Sequence, residues 1–311
     1  KNPIQEECPI KIAVIILNWN HASDTIECLK SLEKMEDPNC TIIIVDNGST
    51  DDSVKQIRSA FPQHTLIENE KNLGFAEGNN VGLREGLKQG AELLILLNND
   101  TVVAPNFLKE LVHAAEKHPE VGAFGPKIYF YDEPATIWYA GGSVDPRTGR
   151  CYHIGCGAPS GHNQKKETDY ICGCALAVRK SVLEKVGFLA PEFFLIWEEI
   201  DWCYRMRKAG YKCLFVPTAK VWHKVSASFI EGNRDPMWQY FYFRNRLLFH
   251  KRHSSIRKGL PPRELFNLIK MRFHPKTPPD ERQRYRAALR GVWDFFLGRF
   301  GQGSLTKFIH K

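Results

Sequence analysis

Polar side chains that can bind a nucleotide or a metal ion follow four short apolar segments of the chain. In chain order, the four groups are Asn18-Trp19-Asn20, residues 46–51, residues 69–80 and Asn98-Asn99-Asp100. If each apolar segment is a strand of a parallel sheet, all four groups lie at the carboxyl edge, where open α/β sheets bind their ligands. The sequence therefore predicts a polar site of nucleotide size at one edge of a sheet.

The sequence lacks the glycine-rich loops with which other nucleotide-binding folds hold phosphate. It has no G-x-x-x-x-G-K-[ST] motif, and its glycine-rich stretch at 155–161 has the wrong spacing for a dinucleotide loop. A bound diphosphate would then need a metal ion to neutralise its charge. Asp100, at the end of an apolar segment, is the predicted carboxylate ligand of that ion. The alternative is that Asp100 caps a turn before Thr101, with Asn98 and Asn99 as turn residues.

Short apolar segments alternate with stretches of helical periodicity over residues 1–130, a pattern typical of parallel strands joined by crossover helices. Strands are predicted at 11–17, 41–45, 65–67 and 92–97, and helices at 76–89 and after Pro105, with Ser23 and the pair Ser49 and Asp52 as helix caps. Beyond residue 120, strands are predicted near 122–129, 170–178 and 213–216, and a helix at 198–209. The strand at 213–216 is expected to end before Pro217.

Five motifs, in the order in which they occur, resemble those of the inverting family 2 glycosyltransferases. They are Asn18-Trp19-Asn20, DNGSTDDS from Asp46, NLGFAEGNNVGL from Asn72, LLNND ending at Asp100 and FFLIWEEIDWCYRMRKAGY from Phe193. The resemblance covers residues 11–250 and is greatest to bacterial rhamnosyltransferase-like enzymes of cell-surface polysaccharide assembly. It implies a GT-A fold, a Rossmann-like mixed α/β sheet flanked by helices, followed here by a mostly helical C-terminal extension.

The resemblance also implies roles for individual residues. Asp46 matches the acid that recognises the pyrimidine base, and Asn18 lies in the same nucleoside pocket. Asp100 has the metal-binding position of the Asp-x-Asp motif, although this sequence has Asn98 where many members carry an acid. The remaining matches are Asn79, Asn80 and Asn99 for the nucleotide, Gly173 for a backbone position close to the donor sugar, and His223 for an additional metal ligand. His223 could equally be a structural hydrogen-bonding residue.

Glu198 and Glu199 match the acidic pair that supplies the general base, again with a departure, because the second member is commonly Asp. A carboxylate suits this role, since attack at the anomeric carbon is easier when the acceptor hydroxyl loses its proton. Adjacent helical residues point about 100° apart, so one of the two faces the acceptor, and Glu199 is the preferred base. Asp201 is predicted to pair with Arg205 across one helical turn. Trp197 and Trp202 flank the pair, which disfavours the alternative that both glutamates are simple surface charges.

The positive charge of the chain is concentrated at its C-terminal end. Of the net charge of +8, residues 251–311 contribute +11, from 15 Lys and Arg against 4 Asp and Glu, and residues 1–250 carry −3. Aromatic and aliphatic residues are interleaved with these cations, as in segments that bind anionic membrane surfaces. The alternative is a solvated helical appendage. No nucleic acid partner is expected, because no recognisable binding module accompanies the charge.

The change of composition sets the predicted domain boundary and bears on location. We predict a GT-A glycosyltransferase domain at 1–235 and a basic, aromatic extension at 236–311.

The apolar runs are far shorter than the roughly 20 residues of a membrane-spanning helix, and the polar first residues do not resemble a signal peptide. Nine cysteines show no disulfide framework, and the group Cys151, Cys156, Cys172 and Cys174 lacks the usual zinc-ligand spacing. We therefore expect a cytoplasmic protein, with the extension on the inner face of the cell membrane.

The resemblance predicts a sugar transfer with inversion from a nucleoside diphosphate sugar, either dTDP-rhamnose or a UDP-sugar, to a hydroxyl of a glycan or lipid-linked acceptor. Mg²⁺ or Mn²⁺ would be the cofactor. The product would belong to cell-surface polysaccharide or glycolipid assembly. A hexose or hexosamine transferase with a uridine donor is the alternative within the fold, and a catalytically silent module that binds sugar nucleotides or glycans is the alternative outside catalysis.

Overall fold

The computed structural model describes residues 10–36, 40–145, 147–159, 161–225, 236–253 and 256–304. Four parallel strands form the first half of its sheet: Ile12–Asn18 (β1), Cys40–Asp46 (β2), Thr65–Glu68 (β3) and Leu93–Asn98 (β4). They lie side by side in the order β4, β1, β2, β3. The helices Ala22–Leu32 (α1), Ser53–Ala60 (α2) and Gly74–Lys88 (α3) join them.

The second half of the sheet mixes strand directions, as the sequence predicts. The further strands are Thr101–Val103 (β5), Val121–Phe130 (β6), Ile137–Tyr139 (β7), Gly142–Val144 (β8), Cys151–His153 (β9), Lys166–Glu167 (β10), Ala175–Arg179 (β11) and Lys212–His223 (β12). β11 runs antiparallel between β4 and β6, β12 lies parallel to β6, and β8 pairs with β9 in a separate two-stranded sheet. The further helices are Phe107–Lys117 (α4), Lys180–Val186 (α5), Glu198–Lys208 (α6), Pro236–His253 (α7), Ile256–Gly259 (α8), Pro262–Phe273 (α9) and Pro279–Phe296 (α10).

The central strands β1 and β4 are continuous apolar runs because helices cover both faces of the sheet. Residues 13–16 of β1 are fully buried, and residues 93–97 of β4 are at most 2% exposed. The register aligns Asn18 with Asp46 and Leu17 with Asn98. The prediction that these polar strand ends meet at one edge of a parallel sheet is therefore confirmed.

A glycine at every fourth position brings α3 unusually close to the sheet. A Cβ atom at Gly78 would lie 2.7 Å from Cδ1 of Leu17, and one at Gly86 would lie 3.0 Å from Cδ2 of Leu94. At Gly82 a Cβ would overlap the Ile15 side chain. Residues four apart share one helix face, so this face of α3 can approach the strands only without side chains.

We expect Gly82→Val to destabilise the protein by about 1–3 kcal/mol, the usual cost of overpacking a close-packed core. Lys88→Val is the matched control, because it puts the same β-branched residue into the same helix at a side chain that is 79% exposed. Urea unfolding of both variants measures the difference in the free energy of unfolding. Equal unfolding midpoints for Gly82→Val and Lys88→Val would show that the helix can move away from the sheet at no cost.

Both serine caps predicted from the sequence are wrong. α1 begins at Ala22, one residue before Ser23, and has no side-chain cap. α2 begins at Ser53, also without one. The hydroxyl of Ser49 is instead bonded to the carboxylate of Asp46. The Ser49 oxygen accepts from the backbone N–H of Asn20 over 2.7 Å, so its hydrogen bonds lie within the site and not at the start of α2.

The strand predicted at 213–216 is also longer than expected, because β12 continues through Pro217 to His223. Its pairing with β6 has a register shift between Val216 and Lys220. Such an irregularity leaves residues out of the ladder, which suits proline because it has no N–H to donate. The continuation matters because it carries His223 to the same edge as Asp100.

The first helix of the predicted extension lies inside the protein. Ten of the eleven residues from 240 to 250 in α7 are buried, and Phe243, Leu247, Leu248 and Phe249 belong to the same core as the sheet. The alternative of a solvated appendage concerns residues 251–311, and this helix includes only the first three of them. The domain boundary at 235/236 stays a prediction. Within the ranges that the structure describes, no helix is both long and apolar enough to cross a membrane.

Candidate active site at the sheet edge

One end of the predicted site is a buried hydrogen-bond network around the carboxylate of Asp46. Asn18, at the end of β1, donates from Nδ2 to Oδ2 of Asp46 over 2.8 Å. The Ser49 hydroxyl donates to the same oxygen over 2.6 Å, and the Ser49 backbone N–H donates to Oδ1 over 2.9 Å. The parallel register of β1 and β2 therefore fixes a hydrogen-bonded carboxylate at the edge of the sheet.

A second chain of hydrogen bonds connects this network to the end of β4. The Thr25 hydroxyl, on α1, donates to Oδ1 of Asn18 over 2.6 Å. Nδ2 of Asn99 donates to the Thr25 hydroxyl over 3.0 Å. The structure thus brings together three predicted residues, Asn18, Asp46 and Asn99. Sequence reasoning missed the linking role of Ser49 and Thr25. Ser49 was interpreted as a helix cap, and Thr25 lies in a stretch whose pattern indicates only a helix.

The structure places Asn79 and Asn80 on α3, where they bond backbone groups, and Nδ2 of Asn80 also donates to Oε2 of Glu77 over 2.9 Å. Nδ2 of Asn79 donates to the carbonyl of Phe75 over 2.9 Å. The Asn80 amide makes two bonds to the backbone of Leu189, donating to its carbonyl over 2.9 Å and accepting from its N–H over 3.1 Å. Asn80 therefore tethers α3 to the backbone of Leu189, and its contact with the nucleotide stays a prediction.

Asp100 and His223, predicted as metal ligands from distant parts of the sequence, lie side by side. Oδ1 of Asp100 is 3.1 Å from Nε2 of His223, and both side chains are largely buried. Pairing of β5 with β12 sets Thr101 opposite His223 and so brings the preceding Asp100 to the imidazole. The edge of the Trp138 ring supports the imidazole, with ring centroids 4.7 Å apart.

This pair fits Mg²⁺ or Mn²⁺ as part of a coordination sphere. The carboxylate oxygen suits such ions, which commonly take their other ligands from substrate phosphates and water, and histidine is a common metal ligand in general. Nδ1 of His223 is buried and finds no hydrogen-bond partner in the described part of the chain. No group of three or more His, Cys, Asp or Glu residues that could hold a metal occurs among those described residues. The protein alone therefore supplies an incomplete site.

Lys224, directly after His223, joins this end of the sheet to α1. Its ammonium group lies 2.6 Å from Oδ1 of Asp24 and 2.7 Å from Oε2 of Glu27, and its backbone N–H donates to the carbonyl of Asp100 over 2.9 Å. These two acidic partners raise the pKa of Lys224 against the opposing effect of burial. The lysine therefore stays charged and locks α1 beside the Asp100 position, a role that sequence reasoning missed.

The acidic pair opens α6 in an environment short of water. Glu198 is 4% exposed and Glu199 is half-buried, and each has an Oε2 atom that is buried without a hydrogen-bond partner in the described residues. Burial raises the pKa of Glu199 to about 7, although neighbouring backbone N–H groups partly oppose the rise. Burial and the charge of Glu199 hold the pKa of Glu198 well above its usual range. At neutral pH Glu199 is therefore the member of the pair that can accept a proton.

Three residues, Cys172-Gly173-Cys174, join the metal position to the acidic pair. The carbonyl of Cys174 accepts a hydrogen bond from the backbone N–H of Asn98 over 2.8 Å. On the other side, a Cβ atom at Gly173 would lie 3.7 Å from Cβ of Glu199 and 3.3 Å from the Phe75 ring. A side chain at Gly173 would thus crowd the space beside Glu199. The predicted position of Gly173 close to the donor sugar needs this space to stay open.

Asp201 forms the predicted ion pair with Arg205, which is therefore confirmed, with Nε of Arg205 2.8 Å from Oδ2. Two further partners were missed because they lie on α7, far along the sequence. Nε2 of His253 is 2.7 Å from Oδ1 of Asp201, and Nε of Arg252 is 3.6 Å from the same atom. These groups lower the pKa of Asp201 despite its complete burial. Asp201 therefore fastens α6 to α7.

Comparison with known proteins agrees with this geometry. The family described as Glycosyl transferase family 2 matches residues 13–187. The chain is 24% identical to the dTDP-rhamnosyl transferase RfbF of Shigella flexneri over 79% of this chain and 82% of that protein. It is 23% identical to the N-acetylglucosaminyl-diphospho-decaprenol L-rhamnosyltransferase of Mycobacterium tuberculosis (strain H37Rv) over 72% of this chain and 78% of that one. An uncharacterized protein of Sinorhizobium fredii is 27% identical over 69% of the chain, which spans only 24% of that protein's length.

A solved structure supports the fold assignment. GalNAc-T7, crystallised with UDP, GalNAc and Mn²⁺, superposes with a TM-score of 0.59 at 17% identity. The match covers 88% of this chain and 59% of that one. The GT-A fold expected from the sequence is therefore confirmed. Because the family match extends over more than half of the residues, the chain belongs to glycosyl transferase family 2.

Proposed function

We propose that this protein transfers a sugar from a nucleoside diphosphate sugar to a hydroxyl group of an acceptor, with inversion at the anomeric carbon. One observation carries the proposal. The Asp100 and His223 pair and the half-buried Glu199 lie on either side of the short segment Cys172-Gly173-Cys174. This arrangement places a candidate metal position for a diphosphate next to a carboxylate able to take a proton at neutral pH.

The proposed donor is dTDP-rhamnose or a UDP-sugar. The Asp46 carboxylate, held by Asn18 and Ser49, offers acceptor atoms that suit the imide N–H of a pyrimidine base. The Shigella relative is named a dTDP-rhamnosyl transferase and the GalNAc-T7 structure contains UDP, so both carry pyrimidine nucleotides. Asn99 and Asn79 would complete the nucleotide pocket, and Gly173 would leave room for the donor sugar. For Asn80 the bonds to Leu189 favour a structural role.

Asp100 and His223 would hold Mg²⁺ or Mn²⁺ in this proposal. When bound, the ion would neutralise the charge that develops on the diphosphate leaving group. Glu199 would accept the proton of the acceptor hydroxyl as that oxygen attacks. Glu198, kept protonated by burial beside Glu199, would add no second negative charge to the site. A single displacement of this kind inverts the anomeric configuration.

The proposed acceptor is a glycan or lipid-linked molecule of cell-surface polysaccharide or glycolipid assembly. The Mycobacterium relative is named for a substrate that carries a diphospho-decaprenol, a lipid. In this chain α9 and the end of α10 expose large apolar side chains at helical spacing: Phe266, Ile269 and Phe273, then Trp293, Phe296 and Leu297. Lys270, Arg272, Arg290 and Arg299 lie among them. We propose that these helix faces contact an anionic membrane surface.

The triple variant Phe266→Ser, Phe273→Ser and Phe296→Ser is expected to lose most of the binding of the full chain to phosphatidylglycerol vesicles. The reason is that these side chains are 64%, 73% and 64% exposed, so replacing them removes the three most exposed apolar side chains of the two helices and most of the surface that could insert. Co-sedimentation measures the bound fraction. Binding of the unaltered chain should also weaken with salt, since screening shortens to about 3 Å at 1 M ionic strength.

The matched control for the membrane prediction is Tyr152→Ser, which removes another aromatic side chain, 49% exposed, outside these helices. It should co-sediment like the unaltered chain. Equal co-sedimentation of the triple variant and the control would contradict the proposed membrane surface. The role assigned to charge would be contradicted if the chain bound zwitterionic phosphatidylcholine vesicles as strongly as phosphatidylglycerol vesicles and if salt did not weaken that binding.

Release of nucleoside diphosphate tests the proposed reaction. The protein is incubated with Mn²⁺ and, in turn, dTDP-rhamnose, UDP-GlcNAc and GDP-mannose, and free nucleotide is measured with and without a glycan acceptor. We expect release from a pyrimidine donor. Thermal shift under the same conditions measures binding separately, since a ligand at 100 times its dissociation constant adds about 2.7 kcal/mol of stability. Stabilisation without turnover would identify a silent binding module and overturn the proposal.

A further inference from the structure

The backbone that leads into the acidic pair follows a strained path. Phe194, Ile196 and Trp197 have φ angles of 66°, 69° and 79°, and none of them is glycine. Positive φ at residues other than glycine costs about 1–3 kcal/mol each and persists only when the surroundings enforce it. Glu198 and Glu199 follow at once, so this path decides where their carboxylates point. Some other part of the protein must hold the segment in place.

Asn245, on α7, holds the strained segment with a single amide group. Its Nδ2 lies 2.8 Å from each of three carbonyl oxygens, those of Phe193, Leu195 and Ile196. Two N–H protons are thus shared among three backbone acceptors. The side chain is completely buried. A buried amide with these contacts is costly to disturb, since each carbonyl that lost its partner would remain without water.

Arg244 fixes the orientation of that amide and adds bonds of its own. Its Nε donates to Oδ1 of Asn245 over 2.9 Å, so Nδ2 of the amide must face the carbonyls. Its Nη2 lies 2.9 Å from the carbonyl of Phe193 and 3.3 Å from that of Glu192, and its Nη1 lies 2.7 Å from the carbonyl of Gly301. The guanidinium is also completely buried. Together the two residues bind the carbonyls of four residues in the 192–196 segment.

The same segment also touches the helix that borders the donor side of the site. The carbonyl of Phe194 accepts hydrogen bonds from the backbone N–H groups of Phe75, over 2.6 Å, and Ala76, over 3.3 Å. Phe75 in turn packs beside Gly173. The segment is therefore held between α3 on one side and α7 on the other. A shift of α7 would move the acidic pair relative to the donor pocket.

We propose that Asn245 and Arg244 are positioning residues, which hold residues 193–197 in the path that aims Glu199 at the acceptor hydroxyl. The inference rests on the proposed function, because it assumes that Glu199 is the base. It assigns to the C-terminal part of the chain a role in the chemical step, separate from membrane contact. Asn18 and Asp46, which would bind the donor base, lie on other elements and should be unaffected.

Asn245→Asp is the test, because aspartate has the same shape and no N–H to donate. We expect kcat for nucleotide release to fall at least about tenfold, while the dissociation constant of the donor's nucleoside diphosphate with Mn²⁺ changes less than about threefold. Hydrogen exchange of the peptide covering 190–201 should become faster, while peptides from β1 and β4 keep their protection. The donor is whichever member of the panel the unaltered chain turns over fastest.

Arg246→Lys is the matched control, since Arg246 is a completely buried residue of the same helix whose guanidinium bonds Glu264 over 3.1 Å and the carbonyls of Thr148 and Lys258, all outside the segment. It should lower the melting temperature without lowering kcat at a temperature where the protein is folded. A kcat of Asn245→Asp equal to that of Arg246→Lys would overturn the proposal. So would a parallel loss of nucleotide affinity and kcat, which would indicate general disruption of the fold.

Arg244→Lys provides a second route if Asn245→Asp does not fold. Lysine keeps the charge but cannot reach the carbonyl of Phe193 and the amide of Asn245 at once, so a smaller loss of kcat with unchanged nucleotide affinity is expected. Unchanged kcat in this folded variant would contradict the proposal. The two proposals fail in different ways. If the unaltered chain released no nucleotide from any donor, the proposed reaction would be wrong. If the unaltered chain were active and its Asn245 and Arg244 variants equally active, only the positioning role would be wrong.

Discussion

Glu199→Gln is expected to lower turnover by about 10²- to 10⁴-fold, the range typical of losing a general base, while the affinity for nucleoside diphosphate stays nearly constant. Glutamine keeps the size of the side chain and some of its hydrogen bonding, but it cannot accept the proton of the acceptor hydroxyl. The proposed nucleotide pocket around Asp46 lies at the end of β2, not on α6, and should not change. Single-turnover kinetics with the active donor, together with calorimetry of the nucleoside diphosphate, measure the two quantities separately.

The same carboxylate should give the unaltered chain a pH profile with a distinct acid limb. Because burial raises the pKa of Glu199 to about 7, the base is increasingly protonated as the pH falls below 7, and kcat should fall with it. A solvated glutamate would place this limb near pH 4.3. Burial also raises the pKa values of Cys151, Cys172 and Tyr170, which face the pair and so stay protonated. Glu199→Gln should remove the limb.

Glu198→Gln is the matched control for this prediction. Since Glu198 is held protonated at neutral pH, glutamine closely imitates its normal state, and turnover should change much less than in Glu199→Gln. Its effect should fall on stability or on substrate binding. If Glu198→Gln lost turnover and Glu199→Gln kept it, the two roles would be exchanged. If both variants stayed active, the displacement would need another base.

The sheet edge could be predicted from the sequence because each of its contributors is local. Strands β1, β2 and β4 are apolar runs that end in polar residues, and parallel pairing then requires Asn18, Asp46 and Asn98 to meet. The wrong predictions failed where contacts of the folded chain override a local pattern. Ser49 has a capping pattern, yet its hydroxyl donates to Asp46 and its oxygen accepts from the backbone N–H of Asn20. Pro217 normally ends a strand, yet an irregular register tolerated it.

The residues that hold the acidic pair in place could not be predicted in the same way. Asp201 and Arg205 are one helical turn apart, so their ion pair follows from spacing alone. His253 and Asn245 reach the same region from α7, and no periodicity links positions about 50 residues apart. The composition of α7, rich in aromatic and basic residues, suggested a surface segment. Its cations Arg244 and Arg246 are instead buried, bonded by carbonyls and a carboxylate, a pairing that only the folded chain reveals.

Asp100→Ala is expected to weaken Mn²⁺-dependent binding of nucleoside diphosphate at least about 100-fold, since even the hydrogen-bond partners of metal ligands commonly carry 10- to 100-fold. The site has no glycine-rich phosphate loop to compensate, and His223 alone is a single ligand. Binding measured without metal should change little, because the Asp46 network remains. Calorimetric titration of the nucleotide with and without Mn²⁺ measures the metal-dependent part, and Mn²⁺ electron paramagnetic resonance measures the ion itself.

Asp169→Ala is the control for general loss of acidic charge, because Asp169 pairs with Arg207 at 2.9 Å on a different element. It should retain metal-dependent binding. His223→Gln should show an intermediate loss if the imidazole is the second ligand. The competing view, in which Asp100 only pairs with His223 or ends a turn, makes a different prediction: Asp100→Ala would lower the melting temperature yet leave nucleotide binding with Mn²⁺ undiminished. That result would remove the metal from this position, and with it the reason for placing the diphosphate beside Glu199.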